Sequence, residues 1–154
     1  MTRPIPRVFL FALLFIAGCG SDAPQSDLRT VTMQIGSKQF TLEVADTMPS
    51  QEHGLMQRDS MPTLHGMIFV FPTESALTFY MKNTRIPLDI LFLRSDGQIT
   101  TLATMRPYDL SLTPSNGPAK YAIELNAGMI GQTGVQVGQT LSIPPDTREP
   151  SRTP

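Results

Sequence analysis

An apolar–polar alternation with a period of two runs through this chain from residue 31 onward, and it commits the chain to β structure. Val31, Met33 and Ile35 alternate with Thr32 and Gln34; a Gly36-Ser37 turn follows, and Phe40, Leu42 and Val44 alternate with Thr41 and Glu43. Successive side chains of a strand point to opposite faces, so this pattern predicts a hairpin with one wet face. Residues 67–71 and 88–93 carry apolar side chains on both faces and read as strands covered on both sides. Leu77, Phe79 and Met81 alternate again. Ser95-Asp96-Gly97-Gln98 supplies a tight turn into 99–103, and Tyr121, Ile123 and Leu125 mark another strand, with a last one over 140–143. The period breaks over 47–56. Thr47 suits an N-cap, Pro49 the first turn and Gly54 the end of a short helix. About eight short strands with one or two short helices predict a mainly β, single-domain β-sandwich or small barrel.

The two ends of the chain differ from this middle. Arg3 and Arg7 precede an unbroken apolar run over 8–16, and Ile16-Ala17-Gly18-Cys19 closes it with small residues before the only cysteine. A basic start, a short apolar segment and small residues at the cut define a secretory signal over 1–18; the run is half the length that spans a bilayer. The small residues before Cys19 resemble the bacterial lipobox, which implies that the thiol carries a lipid. The expected partner is therefore a membrane, reached through lipidated Cys19, and the expected location is the bacterial cell envelope. Gly20, where aspartate often marks inner-membrane retention, points to the periplasmic face of an outer membrane if the host has one. Residues 19–29 read as a flexible tether, 30–143 as the β domain, and 144–154, with four prolines, as a disordered tail. Cleavage leaves ten basic against thirteen acidic side chains with no Lys/Arg cluster, which argues against a nucleic-acid partner.

The middle of the chain carries a recognisable series: Gly54-Leu55-Met56 with Arg58, then Gly66-Met67-Ile68-Phe69-Val70-Phe71, then Met81-Lys82-Asn83-Thr84-Arg85-Ile86-Pro87-Leu88-Asp89-Ile90. Weaker likeness continues through Tyr121, Glu124 and Leu125 to Gly138. This series resembles the family called domain of unknown function 192. The resemblance implies a mainly β fold, often exported or lipid-anchored, and brings no established activity or catalytic residue. Tyr80 stands where that family often has Trp, and His65 where an acidic residue is common.

The polar residues inside the series are the candidate site. Asp89 enters its strand on the face of Leu91 and Leu93, where an unpaired carboxylate is costly. Lys82, Arg85 and Arg58 are the available cations, and Asn83 and Thr84 form the adjoining turn. Two readings stay open: a structural ion pair between Lys82 and Asp89, or a small polar pocket over Arg58, Lys82, Asn83, Thr84 and Asp89. Weaker candidates are His65, Tyr80, Tyr108 and Glu124. Glu124 lies opposite Tyr121 and Ile123 in its strand, which predicts a solvated position. Residues 104–118 read as a fifteen-residue loop, with Arg106 and Tyr108 suited to a rim or lid.

His53, Met56, Met61, His65 and Met67 lie close together, and thioethers with imidazoles suit Cu(I). Against that, Met33, Met67 and Met81 hold inward strand positions as packing residues, so no metal and no cofactor is expected. No nucleophile elbow, phosphate loop, thiol nucleophile or zinc-protease motif is present in the sequence. The expectation is a non-enzymatic envelope domain that binds a small molecule, a glycan or an envelope protein. The alternatives are a hydrolase or transferase using Asp89, Lys82 and Glu124, and a copper-binding envelope protein.

Overall fold

The computed structural model describes Gln25 and residues 27–147; Cys19 and the signal segment lie outside the described residues. The fold is mainly β, with two short α-helices among the described residues. Strands β1 (Thr30–Ile35), β2 (Lys38–Ala45), β3 (His65–Phe79), β4 (Leu88–Leu93), β5 (Ile99–Met105) and β6 (Thr113–Asn126) form a single mixed sheet in the order β1-β2-β3-β6-β4-β5. The sheet is not closed into a barrel. All neighbours are antiparallel except β2 and β3, whose parallel pairing requires the crossover through helix α1 (Met48–His53). Helix α2 is Met129–Thr133. Among the described residues no helix is long and apolar enough to cross a membrane.

The first hairpin follows its sequence pattern: β1 and β2 pair from Thr30↔Glu43 to Ile35↔Lys38 around the Gly36-Ser37 turn. Helix α1 starts as its capping residues dictate. The Thr47 side chain accepts from the Ser50 backbone N–H and the Ser50 side chain reaches back to Thr47, a reciprocal cap. Gly54 ends the helix at φ 53°, ψ −134°, a conformation that favours glycine.

Strand β3 gives the molecule its second layer. Ten residues of straight strand would separate Phe69 from Phe79 by roughly 33 Å, yet their rings meet edge to face with centroids 5.0 Å apart. The strand therefore doubles back. Register shifts between Val70 and Ser75 and between Ala76 and Thr78 mark the bend, and β6 bends with it. The far half of this ribbon lies over one face of the sheet, bringing Phe79 to 5.5 Å from Phe92 of β4. Both faces of the sheet centre are consequently covered. One core holds Phe40, Leu42, Ile68, Leu91, Tyr121, Ile123 and Met129; the other holds Leu55, Met67, Phe69, Leu77, Ile90, Phe92 and Ala122. Every residue of β4 is buried, the five apolar side chains as their composition requires and Asp89 with them.

Several boundaries differ from the sequence expectations. The described residues form six strands, and residues 140–143 contribute only an isolated bridge, Gln98↔Thr140. The stretch 113–118 is strand, not loop: Phe79↔Thr113 and Ala76↔Pro118 pair it with the folded-back half of β3. Pro114 and Pro118 donate nothing to the ladder. The Ser115 hydroxyl accepts from the Leu77 N–H at 3.0 Å instead, and the Ser115 carbonyl accepts from Thr101. The end of the expected tether is docked: Gln25 bonds the carbonyls of Ser50 and Gly54, and Arg29 pairs with Asp46 at 2.8 Å. The start of the expected tail is likewise ordered, as a 3-10 turn over Pro145–Thr147 with Thr147 buried.

Candidate functional site

The five residues of the expected polar centre do not share one site. Asp89 lies on the face of Leu91 and Leu93, as its strand position predicts, and is 1% exposed. Its partners are neutral donors, not Lys82. Oδ1 accepts from the Thr104 hydroxyl at 2.7 Å, and Oδ2 accepts from the Ile130 N–H at 2.8 Å. Helix α2 begins at Gly128, which has no side chain to cap it. Asp89 supplies that cap from across the fold, closing one open donor of the helix start. Lys82 is exposed and its side chain has no hydrogen bond or ion pair among the described residues. The lysine sits in a turn that points outward, so the expected Lys82–Asp89 pair is replaced by a tertiary helix cap.

Arg58 is engaged elsewhere. Its guanidinium grips Glu43 of β2 with both nitrogens, at 2.5 and 2.7 Å, and donates to the Gln25 carbonyl at 2.9 Å. This pair lies in an open concavity of about 550 Å³ that also holds Asp59 and the exposed His65.

Asn83 and Thr84 shape a turn in which the Thr84 N–H bonds the Met81 carbonyl at 3.2 Å. Around it, three non-glycine residues adopt left-handed backbone: Gln57 (φ 64°), Asn83 (φ 55°) and Tyr108 (φ 59°). The Gln57 N–H donates to the Asn83 carbonyl, and the Tyr108 N–H donates to the Thr84 carbonyl. Left-handed backbone costs a residue such as Gln57 or Tyr108 about 1–2 kcal/mol, whereas asparagine tolerates it, so two of the three residues of this knot are held in a conformation they do not favour. Strained backbone of this kind gathers where the position of a side chain matters. Tyr108 itself is 60% exposed; its loop contributes backbone support to the turn.

What the knot positions is a cavity of about 270 Å³ between α1, the folded-back β3 and the 80–84 turn. Gly54, Leu55 and Met56 form one wall, Phe69, Phe71 and Phe79 another, with Thr84 inside and Tyr80, 45% exposed, at the rim. Glu124 of β6 opens into this cavity. Its strand neighbours are Met67 and Ile90. Alternation places it opposite Tyr121 and Ile123, as expected, but the doubled ribbon and α1 cover that face. Glu124 is therefore 5% exposed, not solvated. It has no hydrogen-bond or ion-pair partner among the described residues. Burial alone pushes its carboxyl up to about 8, so the group is mostly protonated at neutral pH. Asp89 and Glu124 face opposite sides of the sheet, because Ile90 rather than Asp89 stands opposite Glu124.

The methionines divide similarly. Met33, Met67 and Met81 are buried in the two cores, Met56 lines the cavity, and His53 Nε2 accepts from the Gln25 N–H at 3.2 Å. The three phenylalanines, together with Gln51, Glu52 and His53, were not legible as site residues. Their convergence depends on the fold-back of β3, which no local pattern announces.

A mainly β domain with a small aromatic cavity and a buried carboxyl that has no partner among the described residues is the class these features define. The chain belongs to the DUF192 family, described as uncharacterized ACR, whose model matches residues 30–143. It is 31% identical to a UPF0127 protein of Pyrococcus furiosus over 68% of this chain and 89% of that one. It is 27% identical to a UPF0127 protein of Thermococcus sibiricus over 65% of this chain, a match spanning 64% of that protein's length. Among solved structures it resembles a Novosphingobium aromaticivorans protein of unknown function (31% identity, TM-score 0.72, 82% of this chain and 94% of that one). It also resembles a Sinorhizobium meliloti protein described as a candidate transcription regulator (34% identity, TM-score 0.70, 76% of this chain and 97% of that one).

Proposed function

We propose that this domain is a non-enzymatic ligand-binding module of the cell envelope, tethered to a membrane through lipidated Cys19, with the cavity over Glu124 as its binding site. The observation that carries the binding role is Glu124: a carboxyl 5% exposed, without a partner among the described residues, opening into a cavity walled largely by aromatic and aliphatic side chains. Burying such a group stabilises nothing by itself. Ligand sites, by contrast, are mostly apolar with a few polar groups that fix orientation. A volume of about 270 Å³ favours a small molecule over a glycan chain or a protein segment. The tether is supported by the basic start, the apolar run over 8–16 and the small residues before Cys19. A hydrolase or transferase using Asp89, Lys82 and Glu124 together is not favoured, since Asp89 is occupied as a helix cap on the opposite face.

The test is a fragment screen observed through the protein's own NMR signals. The expected result is that hits shift the resonances of Glu124, Phe79 and Tyr80, and that Glu124→Leu abolishes those shifts while the domain stays folded. Hits that leave these three residues unmoved would refute the assignment of the cavity.

A further inference from the structure

We propose that the cavity takes a small organic ammonium ion, held between the Glu124 carboxylate and the surrounding aromatic rings. This rests on the reading of the cavity as a ligand site and names the chemistry of what enters it.

Complementarity carries the assignment. Four aromatic side chains, Phe69, Phe71, Phe79 and Tyr80, line the cavity. Phe79 meets Phe69 and Phe71 edge to face, with centroids 5.0 and 6.4 Å away. Aromatic faces attract cations, most strongly in desolvated sites. The charged or titratable groups facing the cavity are Glu124 from β6, Glu52 and His53 from α1, and Tyr80 from the rim; neither lysine nor arginine is among them. An anion would meet two carboxyl groups and no fixed cation. A neutral apolar ligand would leave Glu124 as it is, without a partner among the described residues. An ammonium ion satisfies the carboxylate and the rings at once.

Proton balance follows from the burial of Glu124. Below about pH 8 the empty cavity holds a protonated carboxyl. Binding the cation then releases that proton to solvent and leaves a carboxylate–ammonium pair. Affinity should rise about tenfold per pH unit up to about pH 8 and level off above it.

The experiment measures binding of choline to the full chain in detergent by calorimetry from pH 6 to pH 9. Its uncharged isostere 3,3-dimethyl-1-butanol serves as the comparison. Choline is expected to bind several-fold more tightly at pH 8 than at pH 7, approaching about tenfold per unit below pH 7, with close to one proton released per ligand at pH 7. The alcohol should bind weakly and without this rise. Glu124→Gln should lose the choline preference while its thermal unfolding stays cooperative. His53→Gln should keep the pH slope, which shows that the slope does not depend on the neighbouring imidazole. Equal affinity for choline and the alcohol would overturn the ammonium assignment and leave the cavity a ligand site of another chemistry. Binding of neither, with fragment hits still centred on Glu124, would overturn it in the same way. Loss of those hits as well would take the ligand-site reading with it.

Discussion

Replacing Glu124 with glutamine removes a titratable group while keeping its shape, and the effect should depend on pH in a defined way. The carboxyl is raised by burial from 4.5 to about 8. A folded state that holds its proton more tightly than the unfolded chain loses stability as pH rises between those two values. Below 4.5 both states are protonated; above about 8 both are ionised and the loss is complete. Each pH unit across that interval is worth about 1.4 kcal/mol, so the full loss is on the order of 4–5 kcal/mol. Other titrating groups contribute equally to wild type and variant, so the difference between the two proteins isolates Glu124. Urea unfolding of both from pH 4 to pH 9 should give a difference that is flat below pH 4.5. It should then grow in favour of Glu124→Gln by roughly 1.4 kcal/mol per pH unit, and level off near pH 8. A difference that stays constant between pH 5 and pH 8 would show that the carboxyl is already ionised in the folded protein, and the reasoning from its burial would fail.

Three further outcomes test other parts of the structure. Asp89→Ala strands the Ile130 N–H and the Thr104 hydroxyl and should cost about 2–3 kcal/mol in urea unfolding, with Asp89→Asn milder and exposed Lys82→Ala within about 0.5 kcal/mol; a neutral Asp89→Ala would sink the helix-cap role. Gly66→Ala would place a methyl 2.4 Å from the Glu124 carbonyl oxygen, forcing β3 from β6, and should lower stability by at least about 2 kcal/mol by the same measurement. An unaltered midpoint there would contradict the close approach. Cys19→Ser should move the protein out of the membrane fraction or leave an unprocessed precursor, and a wild-type protein found wholly soluble after export would end the lipoprotein proposal.

Much of the local structure was legible because it is locally determined. Thr47, Pro49 and Gly54 fix a short helix by capping and backbone preference, and Met48–His53 is the result. The alternation over 31–44 fixed the first hairpin, and the apolar run over 88–93 announced a strand covered on both faces. What escaped was long-range. Pro114, Pro118 and the Asn116-Gly117 pair disguise the first half of β6 as loop, because a proline cannot donate to a ladder. That half-strand pairs with the doubled-back end of β3, which together with α1 covers Glu124. Its β4 neighbour Ile90 sits in a fully buried strand, which is the one signal that Glu124 could be internal; using it requires knowing that β4 and β6 pair. Asp89 was placed on the right face, but its partners come from β5 and from a helix 41 positions later.

The stretches that carry the family resemblance separate into two physical tasks. Gly54-Leu55-Met56 lines the cavity directly; Phe69 and Phe71 supply its aromatic wall, and Thr84 and Tyr80 come from the turn at its mouth. Gly66 lets β3 approach the backbone of Glu124 itself, where a side chain would not fit. Asn83, at φ 55°, binds that turn to Gln57 just beyond the glycine end of α1. Asp89, from the same run of residues, works on the other face and anchors α2. Stability alone would account for Asp89 and Gly66. It does not account for a buried carboxyl with no partner among the described residues beside a wall of three phenylalanines, since an apolar side chain there would be cheaper. A group that opposes folding, yet sits where three separate motif stretches converge, is what the proposed ligand site accounts for and packing does not.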